Sequence, residues 1–86
     1  MRPWYVYIVE CADRTLYTGI ALDPLNRVDK HNKGAGAKYT RARRPVRLVY
    51  TEKALGRSEA SKREYQIKQL RRQQKLDLIS GSNINS

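Results

Sequence analysis

The feature that most limits how this chain can fold stands near its start. Trp4 to Cys11 is rich in aromatic and β-branched residues, Ala12-Asp13-Arg14 has turn composition, and Thr15 to Ile20 is strand-like again. Two such runs joined by three residues predict a β-hairpin, and therefore antiparallel pairing from the outset. The whole chain is 86 residues long, which is one small domain. A chain of this size buries only about 60% of its unfolded surface, so a deep internal cavity is excluded and the functional site is expected on an open face. A dinucleotide-binding fold is excluded too, because repeated βαβ units need more chain.

Asp23 followed by Pro24 supplies an N-cap and a proline for the first helical position, so a helix is predicted to about Lys33, with Gly34 as its left-handed stop. Residues 34–45 read as a loop, and 46–51 as a third strand. After Gly56, Ser58 is the expected N-cap of a second helix with Glu59 in its first turn, running to about Leu70. A short third helix is expected over 73–79, and 80–86 as a disordered polar tail. The fold class is thus α+β, an α/β two-layer arrangement of a three-stranded antiparallel sheet flanked by helices, in the order β-β-α-β-α-α. Residues 1–79 form the domain.

Charge then narrows the function. Lys and Arg number 18 against 8 Asp and Glu, a formal charge of +10. Such a field favours a polyanion: DNA, or RNA as the alternative. The apolar stretches are too short to span a bilayer, and the N-terminus has no convincing secretory signal, so a cytoplasmic protein without membrane attachment is expected. Cys11 is the single cysteine, which leaves no disulfide partner and no multi-cysteine zinc site. In a strand pattern it reads as a small buried residue.

Several residues carry chemistry. Glu64 lies four residues after Ala60 and three before Ile67, which sets a carboxylate between two apolar positions of a helix. Two readings fit: an i,i+4 pair with Lys68, worth only about 0.2–0.5 kcal/mol, or a ligand for a hard divalent cation such as Mg²⁺. On residues alone the pair is the commoner arrangement. Arg27 and His31 share one face of the first helix, on the flank of a stripe marked by Leu25 and Val28. A guanidinium there can grip phosphate, and an imidazole can relay a proton near pH 7, or both can simply form a solvated face. Tyr5 and Tyr7 alternate onto one face of the hairpin, and Tyr17 belongs to its second strand. Between Lys30 and Arg47 there are seven basic residues and no acidic one. Within that run Lys38, Tyr39, Thr40, Arg41, Arg43 and Arg44 read as a phosphate-gripping loop, with Tyr39 available to stack on a base.

In this order and spacing, Tyr5-Val6-Tyr7, Tyr17-Thr18-Gly19, Arg27, His31 and Glu64 resemble the GIY-YIG nuclease superfamily. The resemblance covers roughly residues 4–79, and it is nearest to the short stand-alone bacterial members, whose Gly-Ala-Lys-Tyr-Thr-Arg pattern appears here as Gly36 to Arg41. Arg27 to Asn32 and Arg63-Glu64-Tyr65 also look like the catalytic domain of eukaryotic endonucleases that cut branched DNA. The resemblance implies metal-dependent hydrolysis of DNA phosphodiester bonds, with branched or damaged DNA in repair or recombination as candidate substrates. It implies Mg²⁺ (or Mn²⁺) held by Glu64, Arg27 steadying the phosphoryl group, Tyr7 with His31 activating water, and Tyr17 positioning the nucleophile or sharing that role. Two positions depart from the pattern: Tyr5 replaces the first motif's glycine, and Ile20 stands where some active relatives carry a lysine. The alternatives are a nucleic-acid-binding module of the same family with weak or lost catalysis, and a small RNA-bound basic protein. The sequence identifies no protein partner.

Overall fold

The computed structural model describes residues 3–84. The hairpin forms as the pattern requires: β1 (Trp4–Glu10) pairs antiparallel with β2 (Leu16–Ala21). Its connection is closed by Cys11 N–H on the Thr15 carbonyl at 2.8 Å, and Arg14 takes the left-handed conformation at φ 72°. The Asp13 carboxylate accepts from both the Thr15 hydroxyl and the Thr15 amide, a local bond that competes well with extending either strand.

β1 is the central strand, with β2 on one side and β3 (Arg47–Ala54) antiparallel on the other. This is why Val6, Tyr7, Ile8 and Val9 are all buried in succession rather than alternately. Val6 and Ile8 face Ala60 and Ile67 of α3 (Arg57–Lys68), whereas Tyr7, Val9 and Cys11 face the side on which Val28 of α1 (Pro24–Asn32) packs. The α+β class and the flanked antiparallel sheet are as expected. The helices occupy both faces, however, so the layers number three where the sequence suggested two, because the central strand is apolar on both of its faces.

Local differences have local causes. Asp23 caps α1 through the Asn26 amide and Gly34 ends it at φ +83°, as predicted. The inward side of α1, however, carries half-buried Pro24 and Val28 and fully buried His31 at i, i+4 and i+7, which turns Leu25 outward to 72% exposure and carries His31 from the flank into the interior. The predicted loop contains one helical turn, α2 (Lys38–Arg41). Asn32 joins α1 to the start of β3, accepting from the Val46 amide at 2.7 Å and donating to the Val46 carbonyl at 2.9 Å. The N-cap of α3 is Gly56, not Ser58: the Ala60 amide already bonds the Gly56 carbonyl, which places Ser58 inside the first turn. The last helix, α4 (Arg72–Ile84), is longer than the expected 73–79 and takes in 80–84 of the stretch read as a disordered tail. Once Leu78 and Ile79 pack on the sheet, extending a formed helix requires no new nucleus. Residues 85 and 86 lie outside the described residues. No helix among the described residues is long and apolar enough to cross a membrane.

Candidate active site

The register of the hairpin puts Tyr7 directly opposite Gly19. The Tyr7 ring lies across its partner strand, so a β-carbon at Gly19 would fall 2.6 Å from the phenolic oxygen. Glycine is needed there to let the hydroxyl pass, which is a physical reason for the Tyr-Thr-Gly order of 17–19. The hydroxyl then meets His31 Nε2 at 2.9 Å, in the interior.

His31 is held from its other side as well. Its Nδ1 lies 2.8 Å from Thr40 Oγ1, and that hydroxyl is 2.9 Å from the Ala37 carbonyl, an acceptor only. Thr40 therefore spends its proton on Ala37 and accepts from His31 Nδ1–H. It follows that Nε2 carries the lone pair and Tyr7 donates to it. A side chain at Gly36 would collide with the same imidazole, so Gly36 provides the space for the ring. Burial, with the Arg27 charge second, pushes the His31 pKa below its ordinary 6.5, so the ring is neutral near pH 7. Burial likewise raises the Tyr7 pKa above 10.0; the Arg27 guanidinium beside the hydroxyl pulls it back, and Tyr17 and Glu64 push it up. Tyr7 is thus a neutral phenol aimed at a neutral base.

The structure brings together Tyr7, Tyr17, Arg27 and His31. The Tyr17 ring stands edge-on to His31 with centroids 5.5 Å apart. Glu64 approaches from the opposite layer near enough for its charge to be felt at Tyr7. Its side chain is 23% exposed and bonds Lys68 at 3.3 Å, so the helical pair weighed from sequence is present. Among the described residues no group of three His, Cys, Asp or Glu side chains could hold a metal. The donor set is one carboxylate. That suits Mg²⁺, which keeps several waters and takes further oxygens from a substrate phosphate, and does not suit a cage-bound metal.

The basic loop divides in two. Thr40 is fully buried, so it is not a nucleic-acid contact but the residue that orients His31. Arg43 is engaged by the Asp13 carboxylate at 3.1 Å, the Tyr39 carbonyl at 2.8 Å and the Tyr39 ring at 4.0 Å from its centroid. Tyr39 also stacks on Tyr17 at 5.9 Å. Arg44 donates to the Arg41 carbonyl at 2.8 Å. Lys38 and Arg41 are exposed and have no carboxylate within 4.0 Å among the described residues. The orienting role of Thr40 and the space at Gly36 escaped the sequence reading. The signal was present in Gly36 to Arg41, but nothing in its composition aims a hydroxyl at a histidine in another element.

With this geometry in hand, the comparisons with known proteins are specific. The GIY-YIG catalytic domain matches residues 3–77. The chain is 59% identical over 83 residues to a UPF0213 protein of Desulfotalea psychrophila, covering 94% of this chain and 76% of that protein. It is 61% identical over 79 residues to a UPF0213 protein of Staphylococcus aureus, covering 92% and 96%. Among solved structures, a protein from E. faecalis determined by NMR is 41% identical with a TM-score of 0.65, covering 98% of this chain and 90% of that one. The UPF0213 protein of Bacillus halodurans is 47% identical with a TM-score of 0.58, covering 91% and 83%.

Proposed function

This chain belongs to the GIY-YIG catalytic-domain family, and from that premise we propose that it is a metal-dependent endonuclease that hydrolyses DNA phosphodiester bonds at branched or damaged sites in repair or recombination. The observation that carries the reading is the Tyr7 hydroxyl, directed at a neutral His31 Nε2 with Arg27 beside it and the Glu64 charge within range.

The mechanism follows from these groups. Arg27 holds the phosphate and offsets the charge that builds on it in the transition state. A water bound near Tyr7 gives its proton to the phenolic oxygen as the phenolic proton moves to His31 Nε2. The resulting hydroxide attacks phosphorus, the bond to the leaving oxygen breaks, and the proton on the buried His31 passes back through the Tyr7 hydroxyl, whose own proton goes to the leaving oxygen. A free phenolate is never needed, which agrees with a Tyr7 pKa above its ordinary value. Tyr17 lines the space beside His31 and positions the nucleophile. Glu64 would hold a divalent cation, which would supply Lewis-acid stabilisation of phosphate oxygens. For that role Lys68 must release Glu64, and a 3.3 Å half-exposed pair is weak enough to do so.

The Glu64–Lys68 pair, together with Ile20 after the second motif, favours one second reading: a DNA-binding member of the family with weak or lost catalysis. A cleavage panel of single-stranded, duplex, flap and junction DNA with Mg²⁺, Mn²⁺ or chelator separates the two, with Glu64→Gln as the control. Metal-dependent cutting that Glu64→Gln abolishes, with DNA affinity retained, supports the nuclease. No cutting on any substrate by a protein that still binds DNA leaves the binding module.

A further inference from the structure

At the end of β2 away from Tyr17, the chain forms an open cleft of about 570 Å³ whose walls include Trp4, Asp23, Asn26, Arg27, Lys30 and Arg57. That volume is within the range of small-ligand sites. Arg27 belongs both to this cleft and to the surroundings of Tyr7, so whatever fills the cleft lies next to the reacting phosphate.

The charges in the cleft are unbalanced. The carboxylates Glu10, Asp13, Asp29, Glu52, Glu59 and Glu64 each pair with a cation elsewhere. Arg27, Lys30 and Arg57 have no carboxylate within 4.0 Å among the described residues. The one acidic wall residue, Asp23, is spent on the N-cap of α1. Three cations therefore face a cleft whose single carboxylate is already engaged by the Asn26 amide and pairs with none of them, a net positive wall that fits phosphate oxygens from outside the protein.

The aromatic wall argues for more than phosphate. Two cation-aromatic pairs flank the candidate site, and their distances decide which is free. Arg43 lies 4.0 Å from the Tyr39 centroid and is tethered by Asp13 and the Tyr39 carbonyl. Arg57 lies 5.6 Å from the Trp4 centroid, beyond close stacking, and is exposed. Trp4 is only half-buried, so its ring can accept a base while Arg57 swings to a phosphate. A base can lie on an indole only when it has left its own stack.

We propose that this cleft is a subsite for the nucleotide flanking the reacting phosphate on an unpaired DNA strand, with Trp4 stacking on the base and Lys30 and Arg57 gripping adjacent phosphates. The subsite rests on the nuclease reading for the position of the reacting phosphate but not for binding itself. It makes the unpaired strand, rather than intact duplex, the preferred ligand.

Trp4 is the only tryptophan, so its fluorescence reports this site alone. The full chain is titrated in chelator with a six-nucleotide oligothymidylate, with an abasic oligomer of equal length, and with a blunt duplex. The oligothymidylate should quench Trp4 emission at saturation, whereas the abasic oligomer and the duplex should not. Lys30→Gln with Arg57→Gln should raise the oligothymidylate Kd about tenfold or more at unchanged circular dichroism and Tm, and lower the logarithmic salt slope by about 1.4, at about 0.7 for each single-strand phosphate contact. Both positions are exposed, so the double variant should fold. Unchanged Trp4 emission at saturation overturns the subsite, as does wild-type affinity in the double variant. Quenching without cleavage under any metal upholds the subsite and defeats the nuclease reading, and cleavage with silent Trp4 does the reverse.

Discussion

Replacing Thr40 by valine tests the proton relay at its least accessible point. Valine matches threonine in shape but lacks the hydroxyl, so the fully buried site loses the acceptor of His31 Nδ1–H and the donor to the Ala37 carbonyl. A buried N–H without a partner costs about 1–3 kcal/mol. The ring can avoid that cost by moving its proton to Nε2, where it would donate to Tyr7 instead of accepting from it. At about 1.4 kcal/mol per tenfold change in population, the relay-competent tautomer falls to roughly 1–10%. Single-turnover cleavage should therefore drop by about 10- to 100-fold, with DNA affinity little changed. The tautomer can be read directly, because His31 is the only histidine and its two ring nitrogens are resolved by long-range ¹H–¹⁵N NMR. Wild type should show a protonated Nδ1, Thr40→Val a protonated Nε2, and Thr40→Ser a return of both tautomer and rate. A wild-type ring protonated on Nε2 would refute the reasoning outright. An unchanged tautomer and rate in Thr40→Val would reduce Thr40 to a packing residue.

Arg27→Ala should lower single-turnover cleavage by about 10²–10³ while changing binding far less, since its charge acts mainly on the transition state; equal losses in both would make it an ordinary phosphate anchor. Gly19→Ala sets a β-carbon 2.6 Å from the Tyr7 oxygen, so denaturant unfolding should show a loss of about 1–3 kcal/mol, and cleavage should fall even where circular dichroism shows a folded protein. The folded pKa of His31 lies below 6.5 because of burial and then Arg27, so on acidification the unfolded chain takes up the proton first. Stability is therefore fully present above about 6.5 and lost as pH falls from there toward the folded pKa. An NMR titration of the histidine should give a midpoint below 6.5, and a midpoint at or above that value would contradict the burial.

What the sequence made legible was whatever short-range chemistry determines. Asp13 with Thr15, and Asp23 with Pro24 and Gly34, set the turn and the limits of α1 within a few residues of themselves, so the composition reported them correctly. The α2 turn could not be read that way. Its side chains show no helical periodicity, and it is fixed by Thr40 bonding His31 in another element. The same distance hid the burial of His31: the stripe of α1 depends on which face meets the sheet, and Leu25 was as plausible an inward residue as Pro24. Tyr7, Tyr17, Arg27, His31 and Glu64 were picked out as chemistry-bearing residues, but not the order of their bonds. That order depends on a β-register and on a hydroxyl that no local pattern marks. Of the two readings of Glu64, the structure shows the helical pair to Lys68, and the proposed metal role would require that pair to open.

The arrangement of unpaired cations gives the reacting groups a direction. β2 is an edge strand, and the candidate chemistry is gathered about its middle, where Gly19 admits the Tyr7 hydroxyl. Toward Tyr17 the strand meets Tyr39 of α2, whose neighbours Lys38 and Arg41 are exposed. Toward Leu22 it meets the cleft of Trp4, Lys30 and Arg57. The two ends are about five residues apart, roughly 17 Å along a strand at about 3.3 Å per residue, so under the proposed nuclease reading a single strand would touch both with its reacting phosphate on Arg27. Arg43 and Arg44, which the sequence places in the phosphate-gripping loop, bond the Asp13 carboxylate of the hairpin turn and the carbonyls of Tyr39 and Arg41, and so help hold the loop's shape. Net charge alone would spread binding evenly over the molecule. Among the described residues the six ion pairs leave Lys38 and Arg41 at one end of β2 and Lys30 and Arg57 at the other without a carboxylate, as they do Arg14, Lys53, Arg71 and Arg72 elsewhere; under the proposed nuclease reading the two ends of β2 are where a strand would have to be held to be cut between them.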